Sequence, residues 1–213
     1  MIDERILAFI QSLDKGNTPF LTELEAEAIR TDVPIIRPAM QSLMRFLLQL
    51  HKPARILEVG TAIGFSAILM AEYGPVNCQI TTIEKYEKRI PLARANFEAS
   101  GYADRITLLE GDAADILKEL QEPFDMIFMD AAKAQYIHFM PDVMRLLKPG
   151  GLLVSDNVMQ DGEIIESRFG VMRRNRTIHA RMREYMFALT HDEALETVVL
   201  PVGDGVTLSI KKQ

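Results

Sequence analysis

From residue 54 onward the chain alternates apolar runs with amphipathic stretches, and this restricts the fold more than any other feature. ARILEV, CQITTIE, RITLLEG, FDMIFMD and GGLLVSD each read as a strand. Between them, apolar residues at helical spacing predict helices over 64–73, 85–100, 113–120 and 135–147. Apolar strands separated by helices pair in parallel through right-handed crossovers. The expected architecture is a doubly wound, mostly parallel α/β sheet. Ligands of such sheets sit beyond the carboxyl ends of the strands.

The two ends of the chain follow other patterns. Ile2, Ile6, Phe9, Ile10 and Leu13 recur at helical spacing. NTPF (17–20) breaks that helix, and Thr22 with Glu25 makes a capping-box start for a second. VPIIRP (33–38) is expected to be extended, because residues before proline avoid the helical region. A third helix follows through Leu43, Phe46, Leu47 and Leu50. A long helix is predicted over 173–189. LETVVLPVGDGVTLSIKK then reads as two strands around the turn VGDG, an antiparallel hairpin that closes the sheet. At 213 residues and 48% hydrophobic, a single domain suffices, with an N-terminal helical cap (1–50) and an α/β core (54–213).

The formal net charge of −6 gives no bulk sign of a nucleic-acid or membrane partner. Cys78 is the only cysteine, which excludes an intrachain disulfide and a Cys-based metal site. No apolar run approaches a membrane span. MIDERILAFIQSL carries both charge signs in its first turns and no small-residue cleavage site, so it does not read as a signal peptide. The expected location is the cytoplasm.

ILEVGTAIGFS joins the first core strand to its helix. Gly60 and Gly64 allow a tight turn and a close ligand approach. The spacing is G-x-x-x-G, not the G-x-G-x-x-G that seats a pyrophosphate. Glu58 beside it would repel phosphate and welcome a cation, which favours the sulfonium cofactor S-adenosylmethionine over NAD. The same loop would also serve as a βα turn with no ligand. Glu84, ending the second strand, is placed to hydrogen-bond ribose hydroxyls or to be a solvated surface acid. Asp112 and Ala113, after the third strand, could meet an adenine, while Asp112 could equally cap the next helix; the two roles are compatible.

The stretch DMIFMDAAKAQY poses the sharpest question, because an apolar strand ends in a carboxylate, Asp130, whose burial unpaired would be costly. The next strand ends in Asp156 and Asn157. Two carboxylates and an amide at one sheet edge are hard ligands suited to Mg²⁺ or Ca²⁺. The alternative is a pair of ordinary helix-capping aspartates. Lys133, three residues beyond Asp130, would lose its proton more readily beside a divalent cation and could then deprotonate a hydroxyl acidified by that ion. It could instead simply neutralise Asp130.

ILEVGTAIGFSA, TTIEKYEKR, GDA, FDMIFMDAAKAQY and SDNVM together resemble the cation-dependent O-methyltransferases, a class I, Rossmann-like group that includes catechol and caffeoyl-CoA methyltransferases. The resemblance covers most of 54–158, with the motifs in the expected order. It implies S-adenosylmethionine held by Glu84 at the ribose and by Asp112 and Ala113 at the adenine end. It implies Mg²⁺ on Asp130, Asp156 and Asn157, with Lys133 as base and Asp130 at the catalytic centre, touching cofactor and ion. Ser66 and Ile36 become cofactor contacts, the latter because the segment matching VPIIRP folds over the cofactor. A homodimer through the N-terminal helices is also implied.

VPIIRPAM, MDAAKAQY and LPVGDGVTLSIKK further resemble the bacterial tRNA 5-hydroxyuridine methyltransferases, which methylate the wobble uridine to 5-methoxyuridine. DNVMQDG departs from relatives that carry an aromatic or bulky apolar residue after Asn-Val. For a tRNA partner the residues offer ESRFGVMRRNRTIHARMREYM, where Arg168, Arg173, Arg174 and Arg176 lead a one-signed run in an acidic chain. Arginine suits bidentate phosphate contact, although most such runs are solvated helix faces and a CoA ester would use the same residues. A 5-hydroxyl beside a 4-carbonyl offers a metal the same oxygen pair as a catechol. The competing expectations are a small catechol or caffeoyl-CoA-like acceptor, a silent RNA-binding module and an NAD oxidoreductase. Intact Lys133 and metal residues weigh against the silent module, and the loop spacing weighs against NAD.

Overall fold

The computed structural model describes residues 4–213; Ile2, read above into the first apolar stripe, lies outside them. Three helices, α1 (Glu4–Ser12), α2 (Pro19–Arg30) and α3 (Pro38–His51), precede the sheet. The five alternating strands are β1 (Arg55–Val59), β2 (Gln79–Glu84), β3 (Ile106–Glu110), β4 (Phe124–Met129) and β5 (Leu147–Ser155). They are joined by α4 (Phe65–Tyr73), α5 (Ile90–Ser100), α6 (Ala113–Glu119) and α7 (Tyr136–Leu146). After α8 (Arg176–His191), the hairpin β6 (Leu195–Leu200) and β7 (Val206–Lys211) completes a seven-stranded sheet of order β3-β2-β1-β4-β5-β7-β6. The first five strands pair in parallel, and β7 runs antiparallel to both β5 and β6.

Successive side chains of a strand point to opposite faces, and this sheet buries both. Ile56, Met126 and Val154 pack with Leu21, Met44 and Ile68 from the helices on one side. Leu57, Ile127 and Leu153 pack with Phe139, Met182 and Leu189 on the other. The strand order reverses at β1, where the chain leaves β3 on one flank and returns as β4 on the other. Register there is tight. Val59 pairs with Met129, Met129 pairs with Ser155, and the ladder runs one step further, Asp130 N–H donating to Val59 O and Asp156 N–H to Met129 O, each at 3.0 Å. Asp130 and Asp156 therefore leave the sheet side by side.

The structure moves several expected boundaries. Helix α2 begins at Pro19, not at a Thr22 cap, because proline is preorganised for the first helical position. Helix α5 begins at Ile90 rather than 85; the Lys85 and Tyr86 amides instead donate to the Glu84 carboxylate. A short 3-10 turn, Arg173–Asn175, precedes α8. The buried stripe of α3 is Met40, Met44, Leu47 and Leu48, while Phe46 and Leu50 face outward. Ile6, Phe9 and Ile10 of α1, and Leu13 just after it, are also exposed. No helix among the described residues is long and apolar enough to cross a membrane.

Candidate active site

A cavity of about 480 Å³ opens at the carboxyl ends of β1, β2, β3 and β4, a volume in the range of small-molecule and cofactor sites. Its floor is the loop after β1. Gly60 has φ 108° and an added Cβ would strike the Asp130 carbonyl oxygen at 2.0 Å; Gly64 has φ 87° and a Cβ there would strike the Phe97 ring at 2.4 Å. Both glycines are thus demanded by packing inside the protein, which brings the loop close against β4 and α5. Ala62 N–H donates to Glu84 at 2.8 Å, so the carboxylate that ends β2 also braces this loop. Glu84 is 8% exposed and lines the cavity.

Asp112 and Ala113 line the same cavity at the start of α6. Asp112 accepts from Ala114 N–H at 2.9 Å, the capping role weighed above, and pairs with Lys85 at 3.3 Å. That backbone hydrogen bond, with lesser help from Lys85, lowers its pKa. Ile36, in the extended segment before α3, is buried and forms part of the opposite wall. Ser66 also lines the cavity, but its hydroxyl donates inward to Glu58.

Glu58 itself is displaced from the expected place. It has no exposed surface, is not part of the cavity wall, and accepts from Ser66 and Thr82. Burial pushes its carboxyl up to about 8 despite those donors. Burial thus disfavours its negative charge, and Glu58 faces the core rather than the cavity, to which it is linked through Ser66.

At the cavity's far end the tips of β4 and β5 bring three oxygen-bearing groups together. Asn157 Nδ2 donates to Asp130 Oδ1 at 3.3 Å, and Asn157 N–H donates to Asp156 Oδ1 at 2.7 Å. Neither aspartate caps a helix; the short helical turns that follow start from Ala132 and Met159. Burial pushes Asp130 up to about 6, opposed by the Lys133 charge and the Asn157 amide. Burial, then the neighbouring Asp130 charge, pushes Asp156 up to about 7. A buried carboxylate, Asp156, whose proton affinity is raised by the half-buried Asp130 beside it, and an amide next to both, fit a hard divalent cation. No cluster of three His, Cys, Asp or Glu groups exists among the described residues, so this mixed set is the candidate.

Lys133 lines the cavity beside this group. Its ammonium pairs with Asp204 at 3.0 Å and not with Asp130. Sequence reasoning missed Asp204, having read VGDG only as a turn. It also missed Tyr136, whose hydroxyl lies 3.0 Å from Met129 O and 3.3 Å from Asp156 O and accepts from Ala131 N–H at 3.2 Å. That fully buried ring bolts the two strand tips together; the only hint was its place at the end of the quoted motif.

The arginine run divides in two. Arg176, Arg181 and Arg183 donate to the carbonyls of Val171, Ala134 and Ile164, bracing the loops around the site. Arg176 is half-buried in that role, unlike the solvent-facing phosphate contact expected of it. Arg168, Arg173 and Arg174 are exposed, with no hydrogen-bond or ion-pair partner among the described residues. Phe169 stands among them 87% exposed.

Residues 11–212 match the family described as O-methyltransferase. A catechol O-methyltransferase of Niastella koreensis is 33% identical over 168 residues, covering 77% of this chain and 70% of that protein. A caffeoyl-CoA O-methyltransferase of Eucalyptus globulus is 31% identical over 175 residues, covering 78% and 70%. The SAH-bound methyltransferase PaMTH1 of Podospora anserina superposes with a TM-score of 0.87 at 30% identity, over 99% of this chain and 95% of that one.

Proposed function

The chain belongs to the O-methyltransferase family and depends on S-adenosylmethionine; from that premise we propose that it methylates one of two adjacent oxygens on its acceptor, assisted by Mg²⁺. The observation that carries this is that Asp130, Asn157 and Lys133 line one end of a cavity whose other end is lined by Glu84 and Asp112, with buried Asp156 held directly behind Asn157 by its backbone N–H. S-adenosylmethionine would supply an electrophilic methyl group; Asp130, Asp156 and Asn157 would hold Mg²⁺, whose positive charge would acidify a nearby hydroxyl.

The protein's own groups do the rest. Glu84 and Asp112 offer carboxylate oxygens to a ribose and an adenine. Ile36 and its neighbours Pro34 and Ile35 wall the cavity with apolar surface and exclude water. Lys133 takes the acceptor's hydroxyl proton. Holding both reactants in one cavity removes the entropy of bringing them together, which can supply much of the rate.

The relatives named above support a small acceptor of the catechol or caffeoyl-CoA type. A specific observation favours a second acceptor, 5-hydroxyuridine in tRNA: the exposed Phe169 and the exposed, unpartnered Arg168, Arg173 and Arg174 offer a stacking surface and phosphate ligands. Methyl transfer to catechol, assayed with and without EDTA, tests the first reading. Chelation is expected to abolish turnover, and Lys133→Ala to cut it by about 10²–10⁴-fold to a residual rate that can still be measured, while S-adenosylhomocysteine still binds Lys133→Ala. Mass spectrometry of tRNA nucleosides from a deletion strain tests the second. Accumulated 5-hydroxyuridine without 5-methoxyuridine would support it, and an unchanged profile would leave the small acceptor. The exposed apolar face of α1 is read as the seat of a second copy of the chain, to be checked by light scattering.

A further inference from the structure

The turn between β6 and β7 lies far from the strand tips in sequence and against them in space. Asp204, in this turn, is buried to 3% side-chain exposure, while its partner Lys133 keeps 28%. One Asp204 oxygen meets the Lys133 ammonium at 3.0 Å; the other accepts the backbone N–H of Asp161. The Asp204 carbonyl accepts from Met159 N–H at 2.8 Å, and the Gly205 carbonyl from Val158 N–H at 3.0 Å. The hairpin turn is thereby stitched to the segment that leaves Asp156 and Asn157. Asp161 in turn pairs with Arg37 at 3.0 Å, next to the Ile36 wall of the cavity.

A buried carboxylate with a cation on one oxygen and an amide on the other is satisfied on both sides and cannot drift. Among the described residues it is the one carboxylate within ion-pair reach of Lys133. A lysine side chain is long and flexible, and without such a partner its amine would sample many positions around the cavity mouth.

We propose that Asp204 is the positioning residue for Lys133: it aims the amine at the acceptor and receives the ammonium formed when Lys133 takes the hydroxyl proton. In that step the acceptor O–H bond breaks and its electron pair stays on oxygen. The Lys133 ammonium that faces Asp204 first releases a proton to solvent through its partly exposed end; the neutral amine then takes the acceptor's proton in a new N–H bond and is again an ammonium facing Asp204. This rests on Lys133 being the base, as proposed above.

The test compares Asp204→Asn, Asp204→Glu, Lys133→Ala and the double variant Lys133→Ala/Asp204→Asn in the full chain. Asparagine keeps an oxygen for the Asp161 amide, and calorimetric binding of S-adenosylhomocysteine reports that each variant is folded. The first readout needs no turnover. A brief pulse of acetic anhydride, read by mass spectrometry, is expected to label Lys133 severalfold faster in Asp204→Asn. Lys148, held by Asp125 at 2.6 Å, serves as the internal reference. Asp204→Glu, with its charge displaced by one methylene, should label at an intermediate rate, and remains informative if Asp204→Asn fails to fold. The second readout is kcat with catechol, expected to fall by about 10²-fold in Asp204→Asn with KM for S-adenosylmethionine unchanged. On the Lys133→Ala background the same substitution should cost nothing further. Unchanged Lys133 labelling, or an equal loss on both backgrounds, overturns the proposal. Full turnover by Lys133→Ala instead removes Lys133 as the base, a failure distinct from that of Asp204.

Discussion

Glu58, one residue before the carboxyl end of β1, pairs across the sheet with Thr82 and Phe128 and holds its proton where most glutamates have lost theirs. In the unfolded chain it titrates near the ordinary value of 4.5; in the fold it titrates near 8. Between those limits the native state binds a proton that the unfolded chain has released, so stability falls as pH rises. The full contribution is present below about 4.5 and is gone above about 8. Glu58→Gln keeps the neutral form at every pH. It is expected to raise stability at pH 8.5 by about 1 kcal/mol or more, a Tm rise of about 2–4 °C for a chain of this size. At pH 4.5 the gain should vanish. Thermal melts at the two pH values check this, and an equal effect at both would show that Glu58 does not carry the proton.

At the scale of elements, the strands were legible because each is an apolar run ended by a turn residue or an acid, and their parallel pairing follows from the helices between them, while their order is seen only in the structure. What joins the elements was not legible. Tyr136 and Asp204 act on groups 5 to 71 residues away in sequence, and no periodic pattern announces such a partner. The start of α5 was misread because Glu84 captures the Lys85 and Tyr86 amides, a side-chain event that periodicity does not register. Metal and base candidates were visible for the opposite reason: a carboxylate at the tip of a buried strand is anomalous within a few residues. Tyr136→Phe tests how far the β4 and β5 tips depend on one hydroxyl. It leaves Met129 O and Ala131 N–H without this partner, at an expected cost of about 1–3 kcal/mol in urea unfolding. It should also weaken Mg²⁺ binding, measured by calorimetry, because Asp130 and Asp156 are no longer held in step. A variant with unchanged stability would show that the tips are held by the ladder alone.

Over the whole molecule, charge is unevenly spread. The chain carries a net −6, yet residues 168–174 present three exposed arginines, unpartnered among the described residues, and an exposed phenylalanine within seven positions. The sequence showed the run but not its division of labour: Arg176, Arg181 and Arg183 are occupied with carbonyls, which leaves three guanidiniums for a ligand. An acidic body repels nucleic acid everywhere except at such a patch, so its strength should appear in salt dependence. Each phosphate contact with a single strand contributes about 0.7 to the slope of log K against log salt. Replacing Arg168, Arg173 and Arg174 with serine is therefore expected to flatten that slope by about 2 for an anticodon stem-loop RNA, and to weaken binding by at least tenfold near 0.1 M salt. S-adenosylhomocysteine binding serves as the control for folding. Fluorescence anisotropy across a salt series makes the measurement. A slope unchanged by the three substitutions would remove RNA from the candidate acceptors and leave the vicinal oxygens of a small molecule as what this site was built to hold.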